Sequence, residues 1–330
     1  MSAERGNAGS GPARGEGSGS TQVEQRSGTI GFVILSVLVA FVAIWMYVQG
    51  REALLPSEPA EVAAAGAVIE GFRPDLWQLP DEPMLGFVEI AAGEFLMGSN
   101  PAVDRQAYEN ERWSQGSRQG TVELPRFYIT RYEVTVGQYS AFVQDTGRPF
   151  VQAALSVEPD HPVANITWTD ALAYGRWLQA RLLESARTPE AIRDLLAEGW
   201  QITLPTEAQW EKSARGSEGG IYPWGNRLLE GRANFGAQTT RPVGSYDCPD
   251  CSYGLSDMSG NVWELTRSPF QPYPYRGEVD LGNLGEDALW VMRGGSYADG
   301  PANIRAAVRG GVDPGVRNAT IGFRLVLTPP

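Results

Sequence analysis

YGLSDMSGNVWELT, residues 253–266, lies within the stretch whose reading decides the fold. From Gly216 onward about a hundred residues are dominated by Gly, Pro, Asn and aromatics, the composition of irregular loops stabilised by packing rather than of long helices. Asp257 and Glu264 stand seven residues apart in this stretch. They suit either of two roles: capping and hydrogen bonding within a loop, or offering oxygen to a hard cation.

Working outward, the N-terminal side of this region supplies the helices. PTEAQWEKSARG (205–216) is expected to be helical, with Thr206 as its cap and Gly216 as its stop. NITWTDALAYGRWLQARLLESA (165–186) is the clearest helix; Thr169 or Asp170 is expected to cap it, and Leu172, Ala173, Trp177, Leu178 and Leu182 share a face. TPEAIRDLLAEG (188–199) reads as a further helical piece between Pro189 and Gly199. A helix is also expected to begin near Thr135, after the strand-like run FYITRYEV.

The chain has 330 residues, 42% hydrophobic and 10% aromatic, enough for a substantial folded core. Its formal charge of −12 argues against an extended phosphate-binding surface, so no nucleic acid partner is expected. Residues 1–28 are rich in Gly, Ser and Ala without an aromatic, and read as a disordered tail. Residues 29–50 read as a transmembrane helix: from Ile30 to Val48 there is no charge, and a helix of that length spans roughly 28 Å, close to the bilayer core. A cleaved signal peptide is disfavoured by the length of this run. Arg5, Arg14 and Arg26 precede the span and Arg51 follows it, which places the N-terminus in the cytoplasm and the main domain in a bacterial periplasm, on a single-pass inner-membrane anchor in the lipid bilayer. Residues 51–83 read as a linker and 84–330 as the folded domain.

LPTEAQWEKSARG, YPWGN, ANFG, PVGSY, YGLSDMSGNVWELT, RGGSY and IGFRLV occur in that order. Together they resemble the formylglycine-generating enzyme family, the sulfatase-modifying-factor domain. The resemblance implies an α+β, C-type-lectin-like fold with little regular secondary structure. It also implies oxidase chemistry, through a copper-binding cysteine pair after RGGS or a histidine triad holding iron in relatives. After RGGS this chain reads YADGPAN, with Asp299 at about the first cysteine's place, and a carboxylate is a poor ligand for Cu(I). Its one histidine, His161, does not make a triad, so neither copper nor iron is expected.

The family's calcium ligands map onto the Asp257 and Glu264 side chains and the Gly260 and Val262 carbonyls, and calcium is the expected cofactor. Asn234 matches part of a second family calcium site whose acidic segment is missing. Cys248 and Cys251 read as a local disulfide outside the cytoplasm. Against the family, Leu182–Ile202 carries an extra helix-sized insertion suggesting a new contact, Gly175 replaces a frequent half-cystine, and Arg293 and Arg324 look structural. The aromatics of SPFQPYPYRG (268–277) suit a partner surface or loop packing equally.

The expected function is a non-catalytic structural or accessory subunit of a larger membrane complex, respiratory or photosynthetic for example. Other membrane subunits would contact the helix 30–48 and the outer domain. The alternatives are a periplasmic oxidase modifying a protein or peptide, and a calcium-dependent lectin-like binder.

Overall fold

The computed structural model describes residues 69–114, 119–246, 248–277 and 288–330. The expected tail and membrane span lie outside these residues, and among those described no helix is long and apolar enough to cross a membrane. Folded structure begins upstream of residue 84. The short strands β1 (Phe72–Arg73) and β2 (Leu79–Pro80) pair with each other, and Leu76 and Leu79 are buried in the core, although this stretch reads as linker in the sequence.

The remaining strands are β3 (Phe87–Ile90), β4 (Gly93–Met97), β5 (Gly120–Leu124), β6 (Phe127–Thr130), β7 (Gln201–Thr203), β8 (Trp263–Pro269), β9 (Trp290–Arg293), β10 (Arg309–Val312), β11 (Ile321–Gly322) and β12 (Val326–Thr328). One sheet runs β3-β6-β12-β7 and another β10-β9-β8-β11, while β4 pairs with β5 as a separate ribbon. The described helices are α1 (Val136–Thr146), α2 (Trp168–Glu184), α3 (Glu190–Ala197) and α4 (Glu207–Arg215). The architecture is thus mixed α+β, with short strands and long connections.

Local chemistry fixes where these helices start. Thr135 and Thr206 cap α1 and α4 as their sequences suggest, each with a glutamine three residues on that bonds back to the cap amide. The start of α2 differs from expectation. Thr167 is the cap, and Asp170 sits at its third helical position, returning a carboxylate to the Thr167 amide. Either residue looks like a cap in sequence because both carry the short polar side chain that capping needs.

The main core lies between the β3-β6-β12-β7 sheet and helices α1 and α2. Tyr139, Phe142, Tyr174 and Trp177 interlock there, with Tyr139 and Tyr174 stacked at 6.2 Å and Phe142 against Trp177 at 5.3 Å. Gly175 lets α2 come close to β7, since a Cβ on it would stand 3.0 Å from the Ile202 carbonyl oxygen. The insertion forms α3, whose Ile192 and Leu196 join the same core. Its apolar face therefore serves the domain's own core.

Strand β8 positions the candidate site. Its first residues, Trp263 and Glu264, lie beside the end of β9, with Glu264 opposite Arg293; its last, Pro269, lies opposite Trp290.

Candidate functional site

β9 delivers Arg293 and then turns sharply through Gly294 and Gly295, both in the left-handed region, into the loop 296–305. Asp299, at the position where the resemblance implies a thiol, holds this loop together. Its Oδ2 accepts from the Trp263 indole at 2.9 Å, the Ser296 amide at 3.0 Å and the Ser296 hydroxyl at 2.6 Å; its Oδ1 accepts from Asn303 Nδ2 at 2.8 Å. Backbone bonds from Gly236 to the Asp299 carbonyl and from Ala237 to the Tyr297 carbonyl tie the loop to the ANFG segment. Four donors on one carboxylate make Asp299 a structural clasp.

The other candidate redox and metal residues lie elsewhere. Cys248 and Cys251 form a disulfide with Cα atoms 5.3 Å apart, in the turn that leads to YGLS. His161 Nδ1 is 2.8 Å from the Thr240 hydroxyl, and its Nε2 lies 3.7 Å from Glu158. That is a loop-anchoring histidine.

The DMSGNVWE segment brings Asp257 and Glu264 into one buried cluster with Arg324 and with Glu133, a residue the sequence did not single out. Glu264 receives Arg324 Nε at 2.6 Å, Arg324 Nη2 at 2.7 Å and the Trp210 indole at 2.7 Å. Arg324 extends further to the Thr130, Arg131 and Ser256 carbonyls. Asp257 Oδ2 accepts from the Gly244 amide at 2.7 Å. Glu133 accepts from the Val262 amide at 3.1 Å and from Asn261 Nδ2 at 2.6 Å. Asn234, the remnant of the second site, donates to Asn261 Oδ1. Gly260 sits at φ +79°, and a Cβ on it would stand 2.2 Å from the Asn234 carbonyl oxygen.

Three carboxylates thus surround one guanidinium. Burial, reinforced by the charges of Asp257 and Glu264, pushes the Glu133 carboxyl well above its ordinary range. Burial likewise raises Asp257 to about 6, against the lowering effect of the Gly244 amide and Arg324. The carboxylates are held apart by their own donors: among the described residues no group of three His, Cys, Asp or Glu side chains converges to hold a metal. Arg324 is the ion-pair partner of Glu264. Glu133 was legible only as an acid out of place in the strand-like run FYITRYEV.

A second buried network crosses between α4, β9 and β10. Arg293 donates to Glu207 Oε1 at 3.0 Å, Glu211 Oε2 at 2.6 Å and the Ala306 and Ala307 carbonyls at 2.7 and 3.2 Å. Arg215 holds the far oxygen of Glu211, and Arg309 grips both oxygens of Glu207, sharing Oε1 with Arg293. Arg305, in the following turn, meets Asp104 and Glu111. Phe270 and Tyr273 of the SPFQPYPYRG stretch lie over the Arg309 guanidinium, at 4.9 and 4.1 Å, so those two aromatics serve internal packing. The structural role expected of Arg293 and Arg324 agrees with these contacts. Arg215, Arg305 and Arg309 were not anticipated, because an arginine at the end of a helix or in a loop-rich stretch reads as surface until its carboxylate partners are brought to it by the fold.

Comparison with known proteins agrees with this architecture. The family described as sulfatase-modifying factor enzyme 1-like domain matches residues 74–329. The chain is 35% identical over 307 residues to the formylglycine-generating enzyme of Streptomyces coelicolor, covering 72% of this chain and 88% of that one. It is also 35% identical over 182 residues to the mouse protein called inactive C-alpha-formylglycine-generating enzyme 2, covering 49% of this chain and 48% of the mouse protein. The match thus spans about half the length of the mouse relative. Among solved structures, PvdO from Pseudomonas aeruginosa superimposes with a TM-score of 0.58 over 73% of this chain and 94% of that one, at 24% identity, which is a likeness of fold.

Proposed function

The chain belongs to the sulfatase-modifying factor family, and from that premise we propose that it is a member without the family's oxidase chemistry, acting as a structural or accessory subunit of a larger membrane assembly. The observation that carries this reading is Asp299: the position that the resemblance assigns to a thiol holds a carboxylate whose two oxygens are bound by four donors, three from its own loop and one from Trp263 of β8. A group so engaged is neither a soft metal ligand nor a free nucleophile. Anchoring by the apolar run 30–48, with the folded domain on the periplasmic face of a bacterial inner membrane, belongs to the same proposal and rests on the sequence alone.

Calcium enters this reading at DMSGNVWE. What supports it is the imbalance of the cluster, in which three carboxylates face the single Arg324 guanidinium. A cation held by Asp257 and the neighbouring carbonyls would relieve that excess.

The test is to purify the full chain from its native membrane in mild detergent. Its co-purifying chains and metals are identified, and the same peak is incubated with a cysteine-containing sulfatase peptide, oxygen, a thiol reductant and Cu(I). Stoichiometric membrane partners, no redox metal and an unmodified peptide support the proposal. A second reading, a protein-modifying oxidase, is favoured by the identity to the Streptomyces enzyme; conversion of the peptide cysteine would establish it and end the first.

A further inference from the structure

At the far end of β8 from Trp263, four strand steps or roughly 13 Å along at Arg267, the surface opens into a long trough. A cavity of about 560 Å³ lies between β5, the first turn of α4 and Tyr275, with Arg267 in its wall. A second, of about 280 Å³, shares Thr206, Arg267 and Tyr275 with the first and continues to Trp168 and Trp290. A third, of about 450 Å³, shares Leu172 with the second and follows the outer face of α2 past Arg176 to Leu183. The trough shares no lining residue with the loop 296–305 that Asp299 closes.

Its chemistry is that of a binding surface. Trp168, half-buried, stacks on the buried Trp290 at 3.9 Å, so the pair lines the trough with aromatic surface, and large aromatics and arginines are the residues that dominate protein contacts. Along one wall, β5 pairs with β4 alone, so its other edge presents backbone donors and acceptors that no described strand uses. The arginines are the unusual element. Arg215, Arg293, Arg305, Arg309 and Arg324 are each matched to a carboxylate, whereas Arg267 has no carboxylate partner among the described residues; its Nε, like those of Arg215 and Arg293, is buried without an acceptor. Burial also holds its guanidinium below the ordinary arginine range. Arg176 and Arg276, both exposed on the same trough, likewise form no ion pair with a described residue. Glu123 of β5 is the one acidic side chain lining these three cavities.

We propose that this trough docks an extended acidic segment of a partner protein. The segment lies along the free edge of β5, with carboxylates on Arg267, Arg276 and Arg176 and apolar side chains on the Trp168–Trp290 pair and Leu172. The proposal rests on the reading of the chain as a binding subunit and names the kind of partner it takes. Charge complementarity points to the occupant: on a chain with a formal charge of −12 an acidic segment is repelled at long range, so its binding comes from local arginines that pair with no described carboxylate. Extended pairing with a free edge supplies affinity through the main chain, and the arginines supply selectivity.

The test uses the full chain in detergent and two labelled probes: a peptide alternating glutamate with leucine, and its glutamine counterpart, titrated by fluorescence anisotropy. The acidic peptide is expected to bind at least about tenfold tighter than the glutamine peptide, and Arg267→Gln and Arg176→Gln are each expected to weaken it by about tenfold. Arg187→Gln, whose arginine pairs with Asp75 on another part of the surface, is expected to leave binding unchanged. Arg176 is exposed on α2, so its variant carries the test even where Arg267→Gln fails to fold. Equal binding of both peptides, unchanged binding by Arg176→Gln, or no binding of the acidic peptide at millimolar concentration overturns the proposal. The thiol-oxidation assay is run on the same preparation. Oxidation would remove the non-catalytic reading and leave the peptide affinities to judge the trough; loss of peptide binding in an inert protein would remove the trough alone.

Discussion

Replacing Arg293 by methionine removes the centre of the network that joins α4 to β9 and β10. Arg293 is fully buried, and it makes two charge-assisted bonds to Glu207 and Glu211 and two to backbone carbonyls. In the variant both glutamates keep one arginine, Arg309 and Arg215 respectively, so neither is left as an uncompensated charge. What is lost is the satisfaction of the Ala306 and Ala307 carbonyls, two of four ion-pair contacts and the packing of the guanidinium over Trp210 at 5.3 Å. Breaking a buried pair from one side costs about 3–5 kcal/mol, and the retained arginines place Arg293→Met near the lower end. For a domain of this size each kcal/mol moves Tm by about 2–4 °C, so a drop of roughly 6–12 °C is expected for about 3 kcal/mol. Arg293→Lys keeps the charge but cannot reach all four acceptors in one plane, and is expected to lose less than Arg293→Met. Thermal unfolding followed by circular dichroism measures both. A decrease below about 2 °C for Arg293→Met, under 1 kcal/mol by the same conversion, would refute the view that this network holds the sheet to the helix.

The remaining predictions concern other parts of the frame. Burial tends to raise the Asp170 carboxyl, but the hydrogen bonds from Arg148 and Thr167 and the charge of Arg317 outweigh it and hold its pKa below the ordinary value. A depressed carboxylate stabilises the fold above the unfolded pKa, about 3.9, and loses that contribution as pH falls through the folded value. Asp170→Asn should therefore lower Tm at pH 7 and flatten its fall in acid; a Tm–pH profile parallel to wild type down to acid unfolding would be inconsistent with this. Gly260→Ala forces a Cβ against the Asn234 carbonyl at positive φ and should destabilise by several kcal/mol or prevent folding, on the order of 3 or more; normal urea unfolding would contradict the loop geometry. Calcium at a hundred times its dissociation constant should add about 2.7 kcal/mol to stability, seen as a rise in Tm reversed by a chelator. Asp257→Asn should abolish that rise, and a Tm indifferent to calcium would withdraw the metal from the proposal.

Much of the architecture was readable from local chemistry. Thr135 and Thr206 announce their helices because a capping threonine followed three residues later by glutamine satisfies amide groups that no other local arrangement serves. The order of RGGSY, GNVWE and IGFR made the fold recognisable, since RGGSY and GNVWE turn on their glycines, and the arginines of RGGSY and IGFR meet carboxylates on α4 and in GNVWE. Other features depend on partners far away in sequence. Glu133 meets Asn261 across 128 positions and Arg305 meets Glu111 across 194, separations that no local pattern encodes. The core role of Leu76 and Leu79 was hidden for a similar reason: a Pro-rich, acidic stretch reads as linker until β3 and α1 are present to cover its few apolar residues. The clasp made by Asp299 was half legible, because the missing thiol is plain in the sequence, but the four donors that fix the carboxylate come from Trp263, Ser296 and Asn303 only once the loop is closed.

The most direct test of the central claim is the oxidation assay on the metal-loaded protein. Full chain reconstituted with Cu(I), and separately with Fe(II), is incubated with oxygen, a thiol reductant and a sulfatase peptide, and the product is read by mass spectrometry alongside Cys248→Ser. The account predicts an unmodified peptide in every case, with no difference between the variant and the parent chain. Formation of formylglycine, lost in Cys248→Ser, would contradict it and move the chemistry to the Cys248–Cys251 pair.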